Sequence, residues 1–295
     1  MSRSPITDPN PLFVWVGGAA RQLVEIGAGN PRLEAEYLMA AALGIPRIRL
    51  WLIDQAPTPE QIVCFEALLA RRLAREPLQY VLGTAEFAGL TLEVGPGVFI
   101  PRSETEVLVE RVEALLHVRH GGRPASPLIV DVGTGSGAVL LALLDRMPGA
   151  LGIGTERART ALAYARRNAI RLGLANRVGW VCGDLLEPIA CTTPIDAIVS
   201  NPPYVRLAEA QALAPEIREH EPPESLLAGA DGLDVIRRLV PQAAGRLRPA
   251  GLLALEIGIT QGEAVRALLS PEDWRGVEIR PDLTGRPRVL LAVRA

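Results

Sequence analysis

Asn201-Pro202-Pro203-Tyr204 brings together residue types that can hold a flat, NH2-bearing group. The Asn side chain offers one acceptor and one donor group, the prolines still offer carbonyls, and the Tyr offers a flat apolar face with a polar tip. Read alone, the stretch fits a grip on an amide or an amino-purine better than it fits a merely rigid turn. Two consecutive prolines lack N–H donors and fix φ, so strand pairing must stop there. The run before them, Ile195-Asp196-Ala197-Ile198-Val199-Ser200, is apolar enough for a buried strand of a parallel sheet. The tetrapeptide therefore leaves the sheet at the carboxyl end of a strand, the edge where open α/β sheets place their ligands.

Three further positions fall at strand ends. Leu128-Ile129-Val130-Asp131-Val132 reads as a strand that enters Gly133-Thr134-Gly135-Ser136-Gly137 and then an apolar helix from Val139. Glycines let backbone approach a ligand closely, and the helix amino end presents free N–H groups. The loop is G-x-G-x-G, without the dinucleotide spacing and without the lysine of a phosphate-binding loop. Leu151 to Glu156 is a second strand, and Glu156 stands about 20 residues past the loop, where such folds place a carboxylate on ribose hydroxyls. Arg177 to Cys182 is a third strand, followed by Gly183-Asp184, so Asp184 can accept from an adenine amino group. Either acid alone reads better as an exposed loop carboxylate. The glycine loop, the two acids and the tetrapeptide form a series along one sheet edge.

The elements that must position these residues are those of an α/β chain. At 295 residues, 48% hydrophobic and 22% charged, there is core material for one large or two modest domains. No apolar run is long enough to cross a bilayer, and Met1-Ser2-Arg3-Ser4-Pro5 is not followed by a signal-type apolar region. A cytoplasmic location is expected. Net charge is −2, which argues against a large nucleic-acid footprint. The chain has no lysine, and all 31 basic residues are Arg, consistent with coding bias in a GC-rich genome. Cys64, Cys182 and Cys191 lack metal-type spacing and read as small buried hydrophobes in a reducing compartment. His117 and His120 have no ligand cluster around them, and no metal is expected.

Residues 1–83 read as a helical module. Asn30-Pro31 and Thr58-Pro59-Glu60-Gln61 are helix starts, the second with Gln61 at the capping-box position, and Gly44 is a helix end. The Phe13 to Ile26 helix is weakened by Gly17-Gly18. Arg71, Arg72 and Arg75 read as a solvated helix end. Residues 84–104 form a β-hairpin connector around Gly89, with Val98-Phe99-Ile100 as a further short strand. A helix then begins with Ser103 as N-cap and Glu106 as its capping-box partner. The remaining domain is 105–295. Between Val205 and Asp231 there is little regular pattern beyond a short helix near Leu213, and a loop of that length suggests a lid. Leu233 to Leu247 is a helix, Gly251 to Ile257 a fifth strand, Glu263 to Leu269 a helix, and 278–280 and 288–293 closing strands.

With these motifs assembled, the chain resembles class I S-adenosylmethionine-dependent methyltransferases that act on a planar nitrogen. More closely, it resembles the peptide chain release factor glutamine-N5 methyltransferases. Asp131 to Gly137 and Asn201 to Tyr204 carry the first likeness. Gly97-Val-Phe-Ile-Pro-Arg102, Thr105-Glu106, Glu221-Pro222, Asp231-Gly-Leu-Asp234, Gln261-Gly-Glu-Ala264 and the helical amino-terminal module carry the second. The resemblance implies a Rossmann-like seven-stranded methyltransferase sheet, S-adenosyl-L-methionine as cofactor, and class 1 release factors as protein partners. It assigns Asp131, Gly133, Thr134, Gly135, Gly137, Glu156, Asp184 and Asn201 to the cofactor. Phe99, Ile100, Pro101, Arg102, Asn201, Pro202, Pro203 and Tyr204 go to the glutamine, with Asn201, Pro202 and Tyr204 catalytic. At the ribose strand the family has Asp followed by Ser, whereas this chain has Glu156-Arg157-Ala158. Two rival readings share the motifs: a DNA or RNA amino-methyltransferase that stacks a flipped base on Tyr204, and a binding protein on a silent fold of this type.

Overall fold

A computed structural model describes residues 11–119, 126–190 and 192–295, so His120 and Cys191 lie outside the described residues. The chain divides into two compact units, one made of residues up to Gly83 together with Pro215–His220, the other of Thr84–Ala214 and Glu221–Ala295.

The first unit is helical. Its main helices are Pro11–Glu25, Pro31–Leu43 and Pro59–Leu73, with a 3-10 turn at Arg47–Leu52 and a short helix at Leu78–Leu82. Gly17 and Gly18 do not break the first helix, because Leu12, Val16, Ala19 and Leu23 bury one stripe and tertiary packing outweighs propensity. The caps are local and hold as the residues dictate. Asn30 Oδ1 accepts from Leu33 N at 3.3 Å, Gly44 ends the second helix at φ 66°, and Thr58 and Gln61 exchange the two bonds of a capping box. The arginines at the end of the third helix are not a solvated end. Arg72 is 5% exposed, its Nε donates to Glu34 at 2.8 Å, and its Nη1 lies 3.2 Å from Glu216. Arg75 shares Glu216, while Arg71 pairs with Glu76 and donates to the carbonyls of Tyr80 and Val81. The sequence hides this because Glu216 lies 144 residues from Arg72.

In the second unit, β1 (Thr84–Phe87) and β2 (Leu90–Glu93) pair antiparallel through Ala88-Gly89, both at positive φ. Phe87, Leu90 and Leu92 pack into this unit's core beside Val107, Leu108 and Val112. Val98-Phe99-Ile100 forms no strand: Ile100 N donates to the Glu221 carboxylate rather than to a ladder, and Pro101 follows. Ser103 is not an N-cap. Ser103–Thr105 is a 3-10 turn that leads into the helix Glu106–Arg119, and Glu106 instead accepts from Ala88 N, the amide that the tight hairpin turn leaves unpaired.

The main sheet holds β3 (Leu128–Val132), β4 (Leu151–Glu156), β5 (Val178–Cys182), β6 (Ile195–Ser200), β7 (Leu247–Glu256), β8 (Trp274–Pro281) and β9 (Pro287–Arg294). Its order is β5-β4-β3-β6-β7-β9-β8, parallel from β5 through β7, with β9 antiparallel to both its neighbours. Chain order reverses at β3, so the carboxyl ends of β3, β4 and β6 form the crevice of a doubly wound fold. Successive residues serve opposite faces: Ile129, Ala197 and Val199 join one core, Val130, Val132 and Ile198 the other. Burial on both faces explains why these strands are near-continuous apolar runs. The segment after β6 is more ordered than its sequence suggests, with 3-10 turns at Leu207–Ala212 and Pro223–Ser225, a helix at Pro215–His220, and a parallel bridge between Val205 and Leu227. Helices at Asp234–Ala244 and Gly262–Arg266 complete the unit, the second shorter than its sequence suggests. Cys64 and Cys182 are exposed, not buried: the first rides the outer face of its helix and the second an edge strand.

Arg72→Ala leaves the largely buried Glu34 without its cation and Glu216 with Arg75 alone, so it should lower the stability of the helical unit by on the order of 3 kcal/mol. Arg75→Ala, at a side chain 35% exposed, should cost about 0.5 kcal/mol. Urea titration of both variants beside the parent measures the difference.

Candidate functional site

At the carboxyl ends of β3, β4, β5 and β6 lies a cavity of about 470 Å³, within the range of small-molecule sites. The glycine loop forms one wall. Gly133 and Gly135 take φ 71° and 57°, a conformation costly for residues with a Cβ, although a Cβ at either would meet nothing within 4 Å. Here glycine is required by the backbone path. The amides of Gly133 and Thr134 both donate to Thr155 O, which ties the loop to the end of β4.

Asp131 sits beneath the loop, 1% exposed. It accepts from Thr134 Oγ1 at 2.6 Å and from the amide of Leu140 in the first turn of helix Ala138–Arg146. Burial raises its carboxyl to about 7, opposed by those two hydrogen bonds and reinforced by the charge of Glu156. Glu156 accepts from Gly135 N at 3.1 Å and from Ala158 N at 2.9 Å, so both its oxygens are oriented by backbone. Asp184 is paired through Oδ2 with Arg238, whereas its Oδ1 is buried with no hydrogen-bond partner. A buried acceptor without a donor is costly, and this one lies on the cavity wall.

Asn201 reaches the same cavity from the end of β6. Ser200 Oγ donates to Val132 O at 2.6 Å and fixes that strand end against β3. The Asn201 Nδ2 donates to Thr105 Oγ1 at 3.1 Å, which leaves Oδ1 as an acceptor. Gln261, 4% exposed, donates to Tyr204 O at 3.0 Å and to Gly232 O at 3.2 Å, holding the exit of the double-proline turn. The Tyr204 hydroxyl donates to Glu256 Oε1 at 3.1 Å, with Arg288 Nη1 3.5 Å from the hydroxyl oxygen. Burial and the neighbouring Glu256 push the phenol well above its ordinary range, so Tyr204 stays protonated. Glu256 itself is raised by burial, opposed by the Thr105 hydroxyl, the Arg288 charge and the Tyr204 hydroxyl.

The structure gathers Phe99, Pro101, Asp131, Gly133, Thr134, Gly135, Glu156, Asp184, Asn201 and Pro203 around one cavity. Other expected residues stand behind that wall. Gly137 opens the helix at φ 84° and faces Leu141 and Trp180, which a Cβ would meet at 3.0 Å, so both backbone and packing require glycine there. Ile100 is a core residue, and the ring of Pro202 is buried, so only its carbonyl is left to serve the site. Arg102 lies over the Phe99 ring, 4.9 Å from its centroid, and pairs with the buried Glu221. Tyr204 turns its hydroxyl toward Glu256 and lies off the wall. Residues that carried no sequence signal of their own also line the cavity: Glu224 and Ser225 after the double proline at 222–223, and Arg238 beside Asp184. Thr105 was visible only as part of a motif, its partner being 96 residues away.

Comparison with known proteins adds to this geometry. The PrmC N-terminal domain family matches residues 15–83, and the methyltransferase domain family matches residues 129–223. The release factor glutamine methyltransferase of Geobacter sulfurreducens is 44% identical over 94% of this chain and 93% of its own. That of Moorella thermoacetica is 43% identical over 95% and 97%. Among solved structures, the 16S rRNA N2 G1207 methyltransferase of T. thermophilus in complex with AdoMet and guanosine aligns with TM-score 0.51. It is 21% identical over 72% of this chain and 50% of that one, a likeness of fold.

The raised Asp131 carboxyl makes stability depend on pH. The folded chain keeps this proton up to about 7, whereas the unfolded chain releases it near the ordinary value of 3.8. Rising pH across that window therefore favours the unfolded state. Asp131→Asn should flatten the stability profile between about pH 4 and 7 by on the order of 2–4 kcal/mol, measured by urea unfolding at several pH values. A profile as steep as the parent's counts against the assignment.

Proposed function

The chain belongs to the release factor glutamine methyltransferase family, and from that membership we propose how its own residues carry the reaction. It transfers a methyl group from S-adenosylmethionine to the side-chain amide nitrogen, N5, of the glutamine in the Gly-Gly-Gln motif of class 1 peptide chain release factors. The observation that carries the reading is the Asn201 amide: its NH2 is held by Thr105, and it lies on the cavity that the glycine loop and Asp184 also line.

The cavity fits the cofactor. The unpartnered Asp184 Oδ1 is an acceptor for an adenine amino group. Glu156, its two oxygens aimed by Gly135 and Ala158, takes ribose hydroxyls. Gly133, Thr134, Gly135 and the partly neutral Asp131 face the amino-acid portion, where an ammonium favours the ionised carboxylate. When bound, S-adenosylmethionine supplies an electrophilic methyl on a sulfonium. The protein's task is the nucleophile. An amide nitrogen reacts poorly because its lone pair is delocalised into the carbonyl. Asn201 Oδ1 accepts one N–H, and we assign the other to the Pro202 carbonyl, held stiffly by the double proline. Two acceptors fix the NH2 plane, aim the developing lone pair, and favour the positive charge that grows on nitrogen. Phe99 and Pro101 flank the glutamine. Arg102, braced by Glu221, and Tyr204, braced by Glu256, hold that wall from behind. Residues 222–225 close the cavity as part of a lid spanning 205–231. Residues 1–83 dock the protein substrate, the hairpin at 84–104 connects, and 105–295 carries catalysis.

No described helix is long and apolar enough to cross a membrane, and we take the enzyme to work in the cytoplasm without stably bound nucleic acid. The test is methyl transfer from labelled S-adenosylmethionine to purified release factor, with its Gln→Ala variant and duplex DNA in parallel. Label that vanishes with the Gln variant is expected; label on DNA alone would overturn the reading. Asn201→Ala should lower turnover by about 10²–10³ while cofactor affinity is kept, and unchanged turnover would remove its role. Asp184→Ala should weaken cofactor binding about tenfold, read by calorimetry.

A further inference from the structure

Strand β5 ends at Cys182, and the chain turns almost at once. Glu187 N donates to Asp184 O at 3.1 Å, and Ile189 N donates to Leu186 O at 3.1 Å, so residues 184–189 fold back in two tight turns. Leu185, the second residue of the first turn, takes φ 48°. Left-handed backbone at that position is ordinarily filled by glycine, and a Cβ raises its energy. Such a residue persists only where its surroundings over-determine the turn. Leu185 is also buried, and it lines the cavity together with Asp184.

The surroundings are one helix. Ile236, Leu239, Val240 and Ala243 of Asp234–Ala244 pack in one core with Leu185, Leu186 and Ile189. Beside that apolar stripe, Arg238, Gln242 and Arg246 follow at intervals of four, so they project from one side of the helix and its end. Each holds a different point of the turns. Arg238 Nη2 donates to Asp184 Oδ2. Gln242 Oε1 accepts from Leu186 N at 3.0 Å. Arg246 Nη1 donates to Ile189 O. A guanidinium and a backbone amide can only donate, so the Gln242 end at Leu186 must be the oxygen, and the Asp184 oxygen at Arg238 is an acceptor in use. The two residues that flank Leu185 are both gripped, one by its side chain and one by its backbone.

We propose that Arg238 and Gln242 are positioning residues for adenine recognition: they hold the turn at Leu185 so that Asp184 keeps Oδ2 on the helix and offers Oδ1 to the adenine amino group. The inference rests on the reading in which Asp184 binds that group, for which Oδ1 is left without a partner. The Arg238 side chain is 48% exposed, and an ion pair so open to water adds little stability. Its effect is directional, since it occupies one carboxylate oxygen and leaves the other. Glu187, 3.6 Å from the same Nη2, keeps the guanidinium beside the turn. Gln242 stands behind the cavity wall, so its influence on a ligand passes through the turn.

The test is calorimetry on the full-length enzyme with two ligands, S-adenosylhomocysteine and its analogue lacking the 6-amino group. The ratio of their affinities isolates that group. Gln242→Leu and Arg238→Leu should each lower the ratio about fivefold, approaching the roughly tenfold loss expected of Asp184→Ala. Gln242→Glu, which keeps an acceptor for Leu186 N, should restore most of it. In the Asp184→Ala background, Gln242→Leu should leave the ratio unchanged, because the group it positions is gone. Equal weakening of both ligands by the leucine variants, or a glutamate variant as low as Gln242→Leu, would show a role in folding the wall only and overturn the inference. Should Gln242→Leu unfold, Gln242→Met gives the same comparison. If Asp184→Ala keeps the parent's ratio, the assignment of Asp184 to adenine falls and this inference with it. If Asp184→Ala loses the ratio while Gln242→Leu and Arg238→Leu keep it, this inference alone fails.

Discussion

The ladder between β6 and its neighbours ends where Pro202 and Pro203 have no N–H to give. Up to Ser200 the strand is buried on both faces and its backbone groups are paired with β3 and β7. One residue later the chain must leave, and rigid φ values leave it little freedom in how. Asn201 is thereby delivered to the sheet edge on a backbone that cannot relax. Ser200 braces it from the β3 side, and Gln261 braces it beyond Tyr204. The glycine loop, Glu156 and Asp184 reach the same edge by the rule that governs parallel strands: side chains at carboxyl ends converge where the winding reverses. The cavity is thus a property of the sheet, and the tetrapeptide is where that sheet edge acquires a grip.

What could be read from the residues is what local chemistry decides. Asn30, Thr58 and Gly44 act within three or four residues of themselves, and each does what its type dictates. The apolar strands β3, β4 and β6 declare themselves because both faces are buried, and the site residues at their ends follow. What could not be read depends on partners far along the chain. Glu106 looks like a capping-box residue until the hairpin brings Ala88 N within reach. Arg72 looks solvated until Glu216 arrives from 144 residues away. Tyr204 and Gly137 likewise have neighbours far along the chain, Glu256 for one and Trp180 for the other. Such contacts join residues that no local pattern pairs.

The site mixes two electrostatic regimes. On the side we assign to the cofactor, Asp131 is buried enough to hold a proton near neutrality, while Glu156 is kept oriented by two backbone amides. On the side we assign to the substrate, the polar groups are paired: Asn201 with Thr105, Tyr204 with Glu256, Arg102 with Glu221. Such a division suits a reaction in which a cation is bound and a neutral amide attacks.

Because Pro215–His220 clusters with residues up to Gly83, the first unit is discontinuous in sequence. The polypeptide crosses between the units three times, once after Gly83 and twice around this one short helix. A single nick after Gly83 therefore does not yield two whole pieces. The amino-terminal fragment would lack Glu216 and leave Arg72 buried with Glu34 alone, while the larger fragment would carry a helical turn severed from its arginines. Separating the units by sequence needs the chain cut at all three crossings, so the boundary between them cannot be drawn as one position along the polypeptide.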